Sequence, residues 1–108
     1  MASYLLIESR DPFDSADTAF VADVAKGLKD GGNEVTVFLV QNGVLPARRG
    51  ARSRTLSALS RAGVTVLADE FSLRERGIKK GKLVKGVKAA PLDVVVDAMA
   101  AKTKVIWH

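Results

Sequence analysis

Short apolar runs alternate along the chain with stretches whose apolar residues recur at helical spacing. The clearest run is Val35 to Val40, VTVFLV, which is almost wholly apolar, as expected of a central strand covered by helices on both faces. Three further runs are long enough for strands and lie at residues 3–8, 64–68 and 104–107. Strands that alternate with helices imply right-handed βαβ crossovers. The pattern therefore predicts one domain over residues 1–108, an α/β fold built as a three-layer α/β/α sandwich with a mostly parallel sheet of four to five strands.

The segments between these runs predict the helices. Apolar residues recur at helical spacing over residues 16–28. Asp14 or Ser15 is expected to cap this helix, and Gly31-Gly32 is expected to end it. Further helices are predicted at residues 53–62 and 69–76 and from Pro91 to residue 101, and residues 79–90 are predicted to form a basic loop with a short strand near residues 84–87.

Three loops are candidates for a functional site, because ligands of parallel α/β sheets bind beyond the carboxyl ends of the strands. These loops are residues 9–13, 41–44 and 69–72. The candidate ligand-binding residues are Ser9, Arg10, Gln41, Asn42, Gly43, Asp69, Phe71 and Ser72. We expect the aromatic rings of Phe71 and Trp107 to be core or subunit contacts rather than parts of a cofactor site.

The chemistry of these loops is weakly specified by the sequence. Asn42-Gly43 can present backbone amides to an anion or can be a plain turn. Asp69 is most simply the N-cap of the short helix that follows it. Ser72 can be a nucleophile only beside a base, and the single histidine, His108, is terminal and expected to be exposed. The chain has no P-loop and no glycine-rich dinucleotide motif, so we predict no catalytic residues and no cofactor.

The absence of cysteine narrows the possible chemistry further. With no thiol in the chain, disulfides, thiolate metal sites and persulfide chemistry on this chain are excluded, and one histidine does not predict a metal site. No apolar run approaches the roughly 18 residues that span a bilayer, and the first residues lack the basic flank of a signal peptide. No membrane association is predicted, and a cytoplasmic location is expected by elimination.

Charge is unevenly distributed along the chain. The net charge is +5, but residues 1–34 hold seven acids and three bases, whereas residues 35–108 hold five acids and fourteen bases. Such a chain can bind an anionic partner or pair its own halves between subunits, and a solvated basic surface is the simpler interpretation. Aromatic residues do not interleave with the basic ones, so a stacking platform for single-stranded nucleic acid is not expected. Nucleic acid is therefore not among the partners expected from the sequence.

Two longer segments carry a resemblance to a known family. FLVQNGV at residues 38–44 and GVTVLADEFSLRERGI at residues 63–78 resemble DsrE-like proteins of the DsrE/DsrF/DsrH sulfur-relay superfamily. The likeness extends over nearly the whole chain, including YLLIESRDPF near its start and KVIWH at its end. The resemblance implies a five-stranded parallel sheet in three layers and a small cytoplasmic protein that forms homo- or hetero-oligomers.

The chain departs from this family at the position that matters most for its chemistry. Sulfur-transferring members carry sulfane sulfur as a persulfide on a cysteine in the loop after the third strand. By distance from Arg76-Gly77, that cysteine falls at Asp69 or, in another subgroup, at Ser72. Since neither residue is a thiol, and complexes in this superfamily include subunits without the transferring cysteine, the resemblance implies a non-catalytic subunit or accessory factor in sulfur relay.

The expected partners follow from the resemblance and from the end of the chain. KVIWH would expose Ile106 and Trp107 near an edge of the sheet, and exposed apolar surface of this kind usually marks an interface. A homo-oligomer is therefore expected, with other sulfur-relay proteins as further candidate partners. The alternative is a small anion- or nucleotide-binding α/β module unrelated to sulfur transfer.

Overall fold

Five strands form a parallel sheet within residues 1–50 and 54–108, which the computed structural model describes. The strands are β1 (Ser3–Glu8), β2 (Glu34–Leu39), β3 (Thr65–Asp69), β4 (Val87–Ala90) and β5 (Lys104–Trp107). They lie in the order β4-β3-β2-β1-β5, and every neighbouring pair is parallel. The four apolar runs are thus confirmed as parallel strands.

Strand β4, predicted near residues 84–87, lies three residues later than predicted. Instead of continuing as a strand, Val84 donates its backbone N–H to Ala47 at 2.9 Å, and Gly86 turns the chain with a φ of +94°. Pairing with β3 begins only at Val87, opposite Val66. The predicted strand at residues 84–87 is therefore wrong in position, because a glycine turn intervenes between the two valines.

Four α-helices connect the strands in the two described ranges. They are α1 (Asp17–Asp30), α2 (Thr55–Arg61), α3 (Glu70–Glu75) and α4 (Asp93–Ala100), and two 3-10 helices span Gln41–Ala47 and Lys80–Lys82. The expected caps of the first helix are wrong: Asp14 and Ser15 lie in a preceding turn, where both N–H groups donate to the carbonyl of Asp11. The predicted second helix begins at Ser53, which lies outside the described residues, and the loop predicted at Gln41 opens the first 3-10 helix.

The two faces of the sheet are covered unequally. On the first face, α1, α2 and Leu73 of α3 pack on alternate strand residues such as Val37 and Val66. On the opposite face, called here the α4 face, α4 is the one helix among the described residues that packs on the sheet, with Val95 contributing to a smaller core around Phe38. No residue of α4 is fully buried. The arrangement confirms the three-layer sandwich and leaves part of the α4 face open to solvent.

None of the helices in the described part of the chain has both the length and the hydrophobicity needed to cross a bilayer.

Candidate functional site

A groove of about 610 Å³ opens on the α4 face at the carboxyl ends of the strands. Its walls come from α3 and α4, and its floor comes from the ends of β1, β2, β3 and β5. The polar residues that line it are Gln41, Asp69, Ser72, Glu75 and Arg76, and the apolar ones are Ile7, Val40, Phe71, Leu92, Val95, Val96, Met99 and Trp107. The groove thus lies where the parallel-sheet rule places ligand sites.

A buried hydrogen-bond chain lies at the floor of the groove. The hydroxyl of Ser72 donates to Asp69 Oδ2 at 2.7 Å, and the N–H of Ser72 donates to the same oxygen at 3.0 Å. In turn the N–H of Gln41 donates to the Ser72 hydroxyl oxygen at 2.8 Å. Asp69 is therefore the N-cap of α3, as predicted. The hydroxyl of Ser72 is engaged both as donor and as acceptor, which does not favour a nucleophilic role.

The backbone of Gln41 adopts an uncommon conformation to make this contact. Its φ is +51°, in the left-handed region that few residues other than glycine adopt. This conformation turns its N–H toward Ser72 just as the chain enters the first 3-10 helix. The surrounding hydrogen bonds hold the residue there, as is common in residues that form a binding surface.

Arg76 links two of the candidate loops, and the sequence reasoning did not include it among the site residues. Its Nε and Nη2 donate to Asn42 Oδ1 at 3.2 and 3.0 Å, and its Nη1 donates to the backbone carbonyl of Ser72 at 3.2 Å. The guanidinium therefore ties the start of the first 3-10 helix to α3. The sequence feature that could have pointed to Arg76 is its place in GVTVLADEFSLRERGI, the segment that resembles DsrE-like proteins.

Large apolar side chains form the rim of the groove, and we call Phe71, Leu92, Val96, Met99 and Trp107 the apolar rim. Each of them is more than half exposed, with Phe71 at 61% and Trp107 at 64%. Of the two expectations for Phe71 and Trp107, a place in the core is wrong, since both rings are exposed, and a place in subunit contacts stays a prediction. Ile106, the other residue of KVIWH that was expected to be exposed near an edge of the sheet, is also exposed.

Ser9 and Arg10 lie outside the groove. Both the N–H and the hydroxyl of Ser9 donate to the backbone carbonyl of His108, and the N–H of Arg10 donates to Glu8 at 3.3 Å. The Glu8 carboxylate in turn lies 2.8 Å from His108 Nδ1. His108 is thus half-buried and paired with Glu8 rather than exposed as expected, and it lies apart from Ser72.

Gly43 also contacts the end of β1 rather than the groove. A Cβ at this position would overlap the carbonyl oxygen of Glu8, so the close approach of two backbones requires glycine here. Its N–H donates to the carbonyl of Val40 at 2.9 Å. With Glu8 and Arg10, Gly43 lines a separate cavity of about 120 Å³ on the face covered by α1 and α2.

The structure thus divides the eight candidate residues between two places. Five of them, Gln41, Asn42, Asp69, Phe71 and Ser72, lie in or beside the groove, and Ser9, Arg10 and Gly43 surround the end of β1. Among the described residues, no three histidine or carboxylate side chains are placed to hold a metal ion. A groove with an apolar rim and a few polar groups at its floor has the general character of a ligand-binding site.

Comparison with known proteins agrees with this architecture. The E. coli ychN protein has a similar structure, with a TM-score of 0.89 and 20% sequence identity over 100% of both chains. A protein of unknown function from Methanobacterium thermoautotrophicum, MTH1491, matches with a TM-score of 0.83 and 20% identity over 99% of this chain and 98% of its own. At this identity the likeness concerns the fold alone.

The sequence comparisons give the family. No curated protein matches the chain in sequence. The model of the DsrE/DsrF-like family, however, matches residues 2–107, which is nearly the whole chain. The chain therefore belongs to the DsrE/DsrF-like family.

Proposed function

We propose that this protein is a non-catalytic DsrE-like subunit of a sulfur-relay assembly, which binds other subunits or a small ligand through the groove and does not itself carry sulfur. One observation carries this proposal. Asp69 and Ser72, the two positions where the family resemblance places a sulfur-accepting cysteine, form a buried hydrogen-bonded pair at the floor of the groove.

The chemistry of this pair supports a structural role at a former carrier position. Persulfide transfer needs a thiolate, and neither a carboxylate nor a hydroxyl can hold sulfane sulfur. Asp69 instead accepts two hydrogen bonds and caps α3. The two residues therefore stabilise the loop in which the family resemblance places the thiol.

The apolar rim supports association between copies of the chain. Leu92, Val96 and Met99 recur at intervals of four and three residues and so share one side of α4. Trp107 and Phe71 extend the same apolar surface across the groove. A contiguous exposed apolar surface of this kind usually marks an interface, and we propose that it joins subunits in a homo-oligomer.

A sulfur-transfer experiment tests the first part of the proposal. The purified chain is incubated with a sulfane-sulfur donor, and intact mass reports the gain of a sulfur atom that cyanide then removes. We expect no such gain on the natural chain and a gain on Asp69→Cys, with Ser72→Cys as a second thiol position in the same loop. Stable, thiol-releasable sulfur on the natural chain would contradict the proposal. So would an Asp69→Cys thiol that reacts with a thiol reagent but never accepts sulfur from the donor.

A measurement of mass in solution tests the second part. Light scattering at micromolar concentration should give a multiple of the 11.5 kDa chain mass. Val96→Glu places a charge in the apolar rim and should lower that mass, whereas Phe20→Glu alters an exposed side chain on α1 outside the groove and should not. A mass of one chain at both low and moderate salt would rule out the oligomer.

A further inference from the structure

Two basic segments that are distant in sequence meet at the β4 edge of the sheet. Arg48 forms an isolated antiparallel bridge with Leu83, and the N–H of Arg49 donates to the carbonyl of Lys82 at 2.8 Å. The segment after β2 is thus joined to the segment before β4 by backbone hydrogen bonds. Folding therefore brings the cations at residues 48–49 close to those that begin at Lys79, thirty or more residues later in the sequence.

The joined segments place six basic side chains at this edge, and we call them the basic edge. They are Arg48, Arg49, Lys79, Lys82, Lys85 and Lys88, and all six are exposed. The adjacent helix α2 lies beside them, because the hydroxyl of Ser57 donates to the carbonyl of Lys85 at 3.2 Å. Arg61, exposed in the last turn of α2, adds a further cation to this side of the molecule.

The basic edge has almost no compensating negative charge. No acid occurs in residues 35–68 or in residues 76–92. Among the described residues, the nearby ion pair is the one between Lys80 and Glu70, and none of the six cations of the basic edge forms an ion pair with a described residue. Uncompensated like charges repel one another and lower stability. A surface on which folding nevertheless brings them together is suited to binding an anionic partner.

The composition of this surface decides which anionic partner fits. One lysine such as Lys88 is enough to protect an edge strand from pairing with another sheet, and that role does not account for the arginines beside it. A protein interface would be expected to include apolar and aromatic residues at its centre, and single-stranded nucleic acid would need aromatic stacking platforms. The six residues offer neither. A row of cations alone suits the phosphate backbone of a duplex, which is bound through charge and without sequence preference.

We propose that the basic edge binds the phosphate backbone of duplex nucleic acid. β4 and β5 are the two outer strands of the sheet, so the basic edge and the Trp107 end of the apolar rim lie at opposite sides of the molecule. Association at the Trp107 end of the apolar rim would leave the basic edge accessible, and an oligomer of that kind would present several such edges to one duplex. This binding does not depend on the proposed role in sulfur relay.

Binding of a fluorescently labelled 24-base-pair DNA duplex, followed by anisotropy at several salt concentrations, tests the proposal. With about five phosphate contacts, the logarithm of the binding constant should fall with the logarithm of salt concentration with a slope of about −4.5. The double variant Lys82→Gln/Lys85→Gln removes two exposed cations whose side chains form no hydrogen bond or ion pair with a described residue. It should bind at least about tenfold more weakly at 50 mM salt and reduce the slope by about two.

The controls distinguish binding through the basic edge from binding that depends only on the net positive charge of the chain. Lys26→Gln/Lys102→Gln removes the same charge from exposed positions on α1 and after α4, and it should leave binding within about twofold of the natural chain. Equal weakening by both double variants would overturn the proposal, as would no measurable binding at 20 mM salt. A duplex RNA of the same sequence shows whether the sugar matters, and tighter binding of polyglutamate than of either duplex would assign the surface to an acidic protein instead.

Discussion

Replacement of Gly43 by alanine tests the contact that positions the first 3-10 helix against β1. A Cβ at this position would overlap the carbonyl oxygen of Glu8 and lie 2.9 Å from its carbonyl carbon. Both are backbone atoms, and the same oxygen accepts the N–H of Val40 at 2.9 Å in the pairing of β1 with β2. The clash can therefore be relieved only by moving the 3-10 helix away or by breaking this hydrogen bond.

The expected magnitude follows from the rigidity of both partners. Forcing an extra carbon into a well-packed interior typically costs about 1–3 kcal/mol. Since no flexible side chain can absorb the clash at Glu8, we expect Gly43→Ala to lie at the upper end, near 3 kcal/mol. For a chain of this size, at about 4 °C per kcal/mol, the melting temperature should fall by roughly 12 °C.

Urea and thermal unfolding at one fixed protein concentration measure this effect, because the stability of an oligomer depends on concentration. Gly27→Ala is the matched control: Gly27 lies inside α1, and a Cβ there meets nothing within 4 Å. Alanine should stabilise that helix by about 0.5–1 kcal/mol. If Gly43→Ala instead unfolds within about 0.5 kcal/mol of the natural chain, the range typical of surface substitutions, the proposed close contact between Gly43 and β1 is wrong.

Three further predictions concern the hydrogen bonds around the groove. Ser72→Ala should lower the free energy of unfolding by about 1–3 kcal/mol, because it removes both the donor to Asp69 and the acceptor for Gln41. Urea denaturation with an unchanged m-value measures this loss, and a loss under about 0.5 kcal/mol would refute the prediction. Gln41→Gly should stabilise the chain by up to about 1 kcal/mol by relieving the left-handed backbone, whereas Gln41→Val should destabilise it; a reversed order of the two melting temperatures would contradict this. Arg76→Lys should speed hydrogen exchange at Asn42, because an ammonium cannot reproduce the forked guanidinium contact, and unchanged exchange would show that the contact does not hold the loop.

Most of the fold could be predicted from the sequence, because the strands are continuous apolar runs. β2 illustrates this, because five of its six residues belong to the run VTVFLV. The apolar side chains of that run pack into the cores on both faces of the sheet, so the run has no polar face and predicts a buried strand. β4 was predicted in the wrong place, since its residues Val87–Ala90 include a lysine and two alanines, which have low strand propensity. The apolar residue that suggested a strand, Val84, packs against the larger core instead.

The loops of the site could be predicted, but the faces on which their residues lie could not. Side chains alternate across a strand, so one residue of offset decides which face a side chain reaches. Glu8 thereby points away from the groove and toward His108, whereas Asp69, at the end of β3, points into the groove. Nothing in the sequence predicts that α4 leaves Val96 and Met99 exposed, because that depends on how little of the α4 face a helix of eight residues can cover.

The buried pair of Asp69 and Ser72 and the groove above it fit together in physical terms. An isolated carboxylate at Asp69 would carry a large desolvation penalty on burial, and the cap of α3 offsets it with two hydrogen bonds from Ser72. These hydrogen bonds restrain the loop at the floor of the groove. A restrained floor beneath an exposed apolar rim resembles a preorganised contact surface, where little conformational entropy is lost on association. The two residues that stand where the family resemblance places a thiol are thus compatible with the proposed role as a binding subunit.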